Sequence, residues 1–395
     1  MQKHGQSGDA ESGGHPGAAE ASGSPGGVAW PRLVFWETTA GCNLECIHCR
    51  RLEVSRELSK RDLTTEESKN LIAQLAECGR PLLVLSGGEP LMRPDVFDLA
   101  DHARQQGLAC AMATNGTLVD RAVAGKIAAA GIRRVSVSLD GADAGTHDRF
   151  RGIAGSFDRA LEGIGHLRAA GAPVQVNMTL ARHNIEQMEA LFALTERIGA
   201  VALHVFALVP VGCGVEIADD EMLSPEQTEA TLARFYELAK RSRLETRATC
   251  APQYSRLVRQ RRRAMREVRG QRLEAREEEA GLEQSHPPGR GPEPGRGCLA
   301  GSGVCFISHD GKVFPCGYLP VEAGDVRREK FATIWRESAV FARLRRPDLL
   351  TGKCGVCEFA QVCLGCRARA YSQTGDFMSE EPSCPYVPCR KRKSE

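Results

Sequence analysis

Short apolar runs rich in β-branched residues recur along the chain at RLVFWET, PLLVLSG, LACAMAT, RRVSVSL, VQVNMTL and ALHVFAL. Between them lie segments whose apolar positions repeat with helical spacing, near 95–106, 119–130, 156–170 and 184–198. The first helix carries its own start signal. Thr64, with Glu67 three positions on, forms a capping box ahead of SKNLIAQLAE. Strand, helix, strand, repeated about six times, predicts an α/β fold with a parallel sheet covered by helices. Crossovers of one hand leave two solutions, a doubly wound sheet or a barrel. In both, the loops at the C-terminal ends of the strands carry the chemistry.

The flanking segments read differently. Residues 1–28 are mostly Gly, Ser, Ala and His and are expected to be a disordered N-terminal extension. Within 256–297, 18 of 42 residues are Arg or Glu, so this stretch reads as a charged linker whose first half forms a solvated helix. The predicted organisation is a catalytic domain over 29–255, the linker, a cysteine-rich domain over 298–389 and a basic tail over 390–395.

Composition narrows the function. A net charge of +2 over 395 residues gives no basic surplus for nucleic acid, so a small substrate is expected. No apolar run approaches the roughly 18 residues of a membrane span. No apolar leader stands at the N-terminus, and a reducing cytoplasm is the expected location. The 16 cysteines cluster, three in 42–49 and nine between 298 and 389, which favours metal binding over scattered core thiols.

Cys42-x3-Cys46-x2-Cys49 follows the first strand and brings three soft thiolates to one loop. Soft sulfur selects zinc or an iron–sulfur cluster. A four-iron cube held by three cysteines leaves one iron open to another ligand. A zinc site completed by a distant residue such as His48 is the alternative.

Four motifs, CNLECIHC, SGGEP, TNGT and VSLDG, stand at the ends of four successive strands. Together they resemble the radical S-adenosylmethionine (radical SAM) superfamily over residues 32 to about 250. The resemblance implies a partial (βα)6 barrel and a [4Fe–4S] cluster on Cys42, Cys46 and Cys49. It also implies S-adenosylmethionine chelated to the open iron. Gly87, Gly88 and Glu89 would face the cofactor's ammonium group. Asn115, Ser138 and Asp140 would line its site, and Arg151 would pair with its carboxylate. The implied reaction begins when one electron, from a donor such as flavodoxin or ferredoxin, cleaves the sulfonium. The resulting 5′-deoxyadenosyl radical abstracts hydrogen from an unactivated carbon.

Residues 298 to about 388 resemble the SPASM extension of that superfamily, which holds one or two auxiliary [4Fe–4S] clusters. By analogy one ligand set is Cys298, Cys305, Cys316 and Cys366, and the other is Cys354, Cys357, Cys363 and Cys384. The chain departs from the usual pattern by placing two residues, not three, between Cys363 and Cys366. Two zinc ribbons are the alternative. Cys78 and Cys110 read as core thiols and Cys389 as a free one; Cys213 and Cys250, near a substrate mouth, read as packed thiols, with contact to substrate or iron as the alternative.

The wording of GCLAGSGVCFISHDGKVFPCGYLPVEAGDVR and its neighbours is similar to the tetrapyrrole-tailoring branch, which includes heme b synthase and heme d1 biosynthesis enzymes. That branch implies iron-coproporphyrin III as substrate and conversion of two propionates to vinyl groups. Arg182 and His183 are candidate propionate anchors. The competing reading is a maturase of ribosomal peptides.

Overall fold

The structure is a computed structural model and describes residues 28–51, 58–279 and 296–389. The N-terminal extension up to residue 27, the basic tail and the later part of the linker lie outside these residues.

Six parallel strands follow in sequence order: β1 Leu33–Glu37, β2 Leu82–Ser86, β3 Cys110–Thr114, β4 Val135–Ser138, β5 Val174–Leu180 and β6 Ala202–Ala207. The helices α1 Thr65–Glu77, α2 Val96–Gln105, α3 Arg121–Ala129, α4 Ala144–Arg151, α5 Ser156–Ala169 and α6 Met188–Arg197 connect them. After β6 come the short α7 Ala218–Glu221 and α8 Pro225–Arg241, leading to β7 Glu245–Thr249, which adds a seventh parallel strand. This is the expected barrel-type sheet of parallel strands under helices.

Local signals explain the helices. The capping box at Thr64 and Glu67 is formed in full, and Leu71, Ile72 and Leu75 turn one face of α1 onto the sheet. Ser224 and Gln227 form a second box, with Pro225 at the first helical position of α8. Burial of side chains such as Trp36, Leu83, Leu99, Val135 and Leu191 supplies the main drive, about 1.5–3 kcal/mol for each aliphatic residue. α4 has no apolar stripe, because its buried side chains are His147, Phe150 and Arg151. Periodicity therefore gives no sign of it.

Two expectations change. α9, Gln253–Glu279, begins before the expected linker, and its first turns are not solvated. Arg256, Leu257 and Val258 are buried, with Arg256 paired to Glu229 at 2.5 Å. A charged composition concealed a short inward face. Second, the cysteine-rich region, for which no strand was predicted, adds strands to this same sheet. β8 Val304–Ile307 runs parallel to β1 on its outer side, with Val34 opposite Cys305. β9 Lys312–Phe314 and β10 Gly324–Asp325 continue the same sheet antiparallel, giving the order β10-β9-β8-β1-β2-β3-β4-β5-β6-β7.

Candidate active site

The cysteine triplet occupies the loop that leaves β1, at the C-terminal edge of the sheet. Neighbouring loops fix its backbone. Gly88 N–H donates to the Thr39 carbonyl at 2.9 Å, and Glu89 N–H donates to the Gly41 carbonyl at 2.8 Å. A Cβ on Gly88 would stand 2.2 Å from the Gly41 oxygen, so the glycine lets two loops of the chain touch. Gly87 makes a close approach of the same kind, a Cβ there standing 2.9 Å from the Thr39 oxygen. Glu89 is fully buried and accepts from Thr114 Oγ1 and Asn115 N–H, both at 2.8 Å, and from Leu91 N–H at 3.2 Å. Burial outweighs these donors and pushes its carboxyl up to about 7. Asn115 Nδ2 donates to Asn43 at 2.8 Å, inside the triplet, which locks the TNGT loop to the cysteine loop.

Asp140 and Arg151 form the electrostatic wall. Asp140 is fully buried and Arg151 nearly so, with 2.6 Å between Oδ2 and Nε. Burial opposes ionisation of Asp140, but Arg151, His48 and His147 outweigh it and lower its pKa. Arg151 Nη1 also reaches Cys46 Sγ at 3.7 Å. Ser138 is half-buried at the C-terminal end of β4, on the same edge. His48 turns away from the triplet and stacks on Phe150, with centroids 3.9 Å apart. Burial holds its imidazole at about 3 and therefore neutral.

A second ionic knot lies on the other side. The Glu37 carboxylate meets Arg50 at 2.5 Å, Arg51 at 2.7 Å and His309 at 3.0 Å. Burial would raise it, yet Arg50, His309 and Arg51 hold it at about 2. Cys213 anchors the end of the loop, its N–H donating to Cys49 O at 2.9 Å and its thiol to Arg51 O at 2.8 Å.

The C-terminal cysteines separate into two places. Cys354, Cys357, Cys363 and Cys384 line one cleft together with Arg256 and Lys353. Burial pushes the Cys363 thiol up to about 12, with Cys384 and Cys354 adding to the shift. Arg367 Nη2 reaches Cys354 Sγ at 3.9 Å. Cys298, Cys316 and Cys366 gather in a different cluster around Leu319, Leu364 and Phe377. Burial pushes Cys316 up to about 12, with Cys298 and Cys366 raising it further. Cys305 is not with them. It is fully buried within β8, in the core shared with Cys78 and Trp335. Side chains alternate along a strand, and this register turns Cys305 into the sheet–helix interior. Cys78 and Cys110 are buried and Cys389 is exposed.

These arrangements find counterparts in known proteins. The Radical SAM superfamily matches residues 36–195, and the iron-sulfur cluster-binding SPASM domain matches residues 298–366. The chain is 49% identical over 361 residues to the AdoMet-dependent heme synthase of Methanosarcina barkeri, covering 91% of this chain and 98% of that one. It is 43% identical over 379 residues to the AdoMet-dependent heme synthase of Nitratidesulfovibrio vulgaris, covering 96% and 98%. The chain belongs to the radical SAM superfamily. Its fold is similar to the crystal structure of Streptococcus suis SuiB bound to precursor peptide SuiA, with a TM-score of 0.67 at 15% identity over 91% of this chain and 76% of that one.

As a radical SAM enzyme with a SPASM domain, the chain binds a [4Fe–4S] cluster, S-adenosylmethionine and auxiliary iron–sulfur clusters. Its donor sets fit those groups. The thiols are soft, and four of them, Cys354, Cys357, Cys363 and Cys384, line one cleft. Among the described residues, no three His, Cys, Asp or Glu side chains converge closely enough for a single ion. Buried arginines stand beside each set, as the negative charge of thiolate-held iron requires. Sequence reasoning named Arg151 but missed the other arginines and Glu37, because isolated charged residues look like surface. One signal was available: Arg50 and Arg51 directly follow Cys49, and Arg367 and Arg369 come one and three positions after Cys366.

Proposed function

We propose that this radical SAM enzyme converts two propionate side chains of iron-coproporphyrin III to vinyl groups, forming heme b. Each conversion removes one hydrogen atom from the carbon next to the macrocycle, then carbon dioxide, and leaves one electron to be accepted. When bound, the triplet cluster with S-adenosylmethionine supplies the hydrogen-abstracting radical, and an auxiliary cluster supplies an electron acceptor.

One observation supports placing both tasks around a single substrate. Tyr318 packs on the apolar cluster that also takes Cys250 and Cys316, and a Cβ on the adjacent Gly317 would stand 3.8 Å from the side chain of Arg50, which directly follows Cys49. A substrate near this tyrosine lies within reach of both the radical and the acceptor. The two heme synthases above, similar over nearly their whole length, support the same reading.

Arg50 is the cation we assign to a substrate carboxylate. It adjoins Cys49, keeps 22% of its side chain exposed and stacks on Phe306 at 4.2 Å. Glu37 shares its single charge between Arg50 and Arg51, so positive charge remains. The earlier candidates are engaged elsewhere: His183 with Glu221 at 2.8 Å and Arg182 with the Met222 carbonyl at 2.9 Å. Asp140 and Arg151 fix the wall behind Cys46, and Glu89 and Asn115 hold the opposing loops in register. Thiolate-held clusters favour a reducing cytoplasm and a flavodoxin- or ferredoxin-type electron donor.

The test is anaerobic turnover of iron-coproporphyrin III with S-adenosylmethionine and a reductant, read by mass spectrometry. The expected product has lost two carbon dioxide molecules and four hydrogen atoms. An unchanged porphyrin under conditions where S-adenosylmethionine is cleaved overturns the proposal, and modification of a small peptide instead would establish the maturase.

A further inference from the structure

Cys250 stands outside every cysteine motif of the sequence, 48 positions before Cys298. It follows β7 directly, at the C-terminal edge of the sheet. Its backbone is left-handed, with φ of +54°. For a residue other than glycine this backbone is unfavourable and persists only where the surroundings impose it. Here Arg369 imposes it. The guanidinium donates to the Cys250 carbonyl, to the Leu208 carbonyl at 3.0 Å and to Glu381 at 2.9 Å. Arg369 is 2% exposed and lies one turn after Cys366. A single buried arginine thus ties the segments after β6 and β7 to the helix that carries Cys366.

That arrangement brings Cys250 to three other thiols. It packs on the cluster of Leu319, Leu364 and Cys366, as do Cys298, Cys316 and Cys354. Cys354 also lines the other cleft with Cys357, Cys363 and Cys384, which leaves Cys250 as the fourth thiol here. Glu381, which accepts from Arg369, also accepts from the Cys366 N–H at 2.5 Å and so joins the Cys250 carbonyl to this set. Cys305 has different surroundings, fully buried in the main core with Cys78 and Trp335. A packed apolar thiol needs neither a strained backbone nor three thiol neighbours.

We infer that Cys250, Cys298, Cys316 and Cys366 are the four thiolate ligands of the first auxiliary [4Fe–4S] cluster, and that Cys305 is a core residue. Four soft sulfurs complete a four-iron cube, and Arg369 is its buried counter-charge. This assignment rests on the auxiliary clusters of the SPASM domain and not on the proposed porphyrin substrate. Its consequence is architectural: three ligands come from the extension and the fourth from the last barrel strand, so the cluster fastens the two together.

The experiment uses the full chain with Cys42, Cys46 and Cys49 changed to alanine, so that only auxiliary iron is read. On that background Cys250→Ala is expected to lose about four irons and four sulfides per chain. One electron paramagnetic resonance signal of the reduced protein should disappear with them. Cys305→Ala is expected to retain all the iron with an unchanged spectrum. Cys250→Asp, which offers oxygen for sulfur, is expected to keep its iron but shift the g values, a change that a packing role does not produce. Circular dichroism verifies that each variant is folded. Full iron and an unaltered spectrum in folded Cys250→Ala or Cys250→Asp overturn the assignment, as does loss of auxiliary iron from folded Cys305→Ala.

Discussion

Replacing Gly88 with alanine tests how tightly the triplet loop is held. The added Cβ would stand 2.2 Å from the Gly41 oxygen, 2.7 Å from its carbonyl carbon and 2.8 Å from the Ala40 oxygen. All three atoms are backbone, so no side chain can swing aside. To restore even a tight contact of 3.0 Å, the cysteine loop must retreat by about 0.8 Å at Gly41, the residue before Cys42. The two hydrogen bonds between these loops stretch in the process, each contributing about 1 kcal/mol. With overpacking of about 1–3 kcal/mol, the total loss is roughly 3–5 kcal/mol. Displacing a reacting group by about 1 Å costs on the order of 100-fold in rate. The assay is anaerobic formation of 5′-deoxyadenosine per reconstituted chain, alongside the thermal midpoint and iron content. A 10- to 100-fold loss of cleavage with a lowered midpoint is expected. Gly125→Ala is the internal control: a Cβ in that helix meets nothing within 4 Å, so the change is expected to be neutral or to stabilise by about 0.5–1 kcal/mol. If Gly88→Ala behaves like Gly125→Ala, the loop is not held as described.

Three further outcomes follow from the same geometry. Arg151→Gln leaves Asp140 buried and unpaired, so it should destabilise by about 3–5 kcal/mol. The double change with Asp140→Asn should cost clearly less than the sum of the single changes, whereas additivity in a double-mutant cycle would show that the pair is not coupled. Glu37 has a folded pKa near 2 against a reference of 4.5. Its contribution of roughly 3 kcal/mol is therefore nearly complete above pH 5 and fades as pH falls toward 2; in Glu37→Gln the loss of stability between pH 6 and pH 3 should shrink by about 2 kcal/mol. Iron removal by an anaerobic chelator should lower the thermal midpoint, because a group bound only by the folded chain stabilises it, and an unchanged midpoint would contradict clusters held by buried thiols.

Much of the barrel was legible because its signals are local and periodic. Runs such as PLLVLSG, bounded by turn residues, became β2, and the Thr64–Glu67 box became the start of α1. The triplet and the glycine loop were legible as motifs, and the structure adds that Gly88 faces a neighbouring loop. α4 escaped because its buried side are His147, Phe150 and Arg151, which carry no apolar rhythm. Cys305 was placed among the cluster ligands by resemblance, and the structure puts it in the main core. Only the pairing of β8 with β1 decides which way its side chain points. Cys250 was read as a packed thiol because nothing near it in sequence marks it, and Arg369, which binds its carbonyl, lies 119 positions away.

The pairing of β8 with β1 also has a consequence for how the protein is made. Glu37 and His309 are 272 positions apart. At about 5–20 residues per second on the ribosome, some 14–54 s pass before the nascent chain can cover the outer side of its first strand. Through that interval the edge of LVFWE is available to other chains, the situation that leads to aggregation. Chaperone supply and slow, cool expression should therefore govern soluble yield, and a truncation that ends before Val304 should accumulate as inclusion bodies even though its barrel sequence is intact.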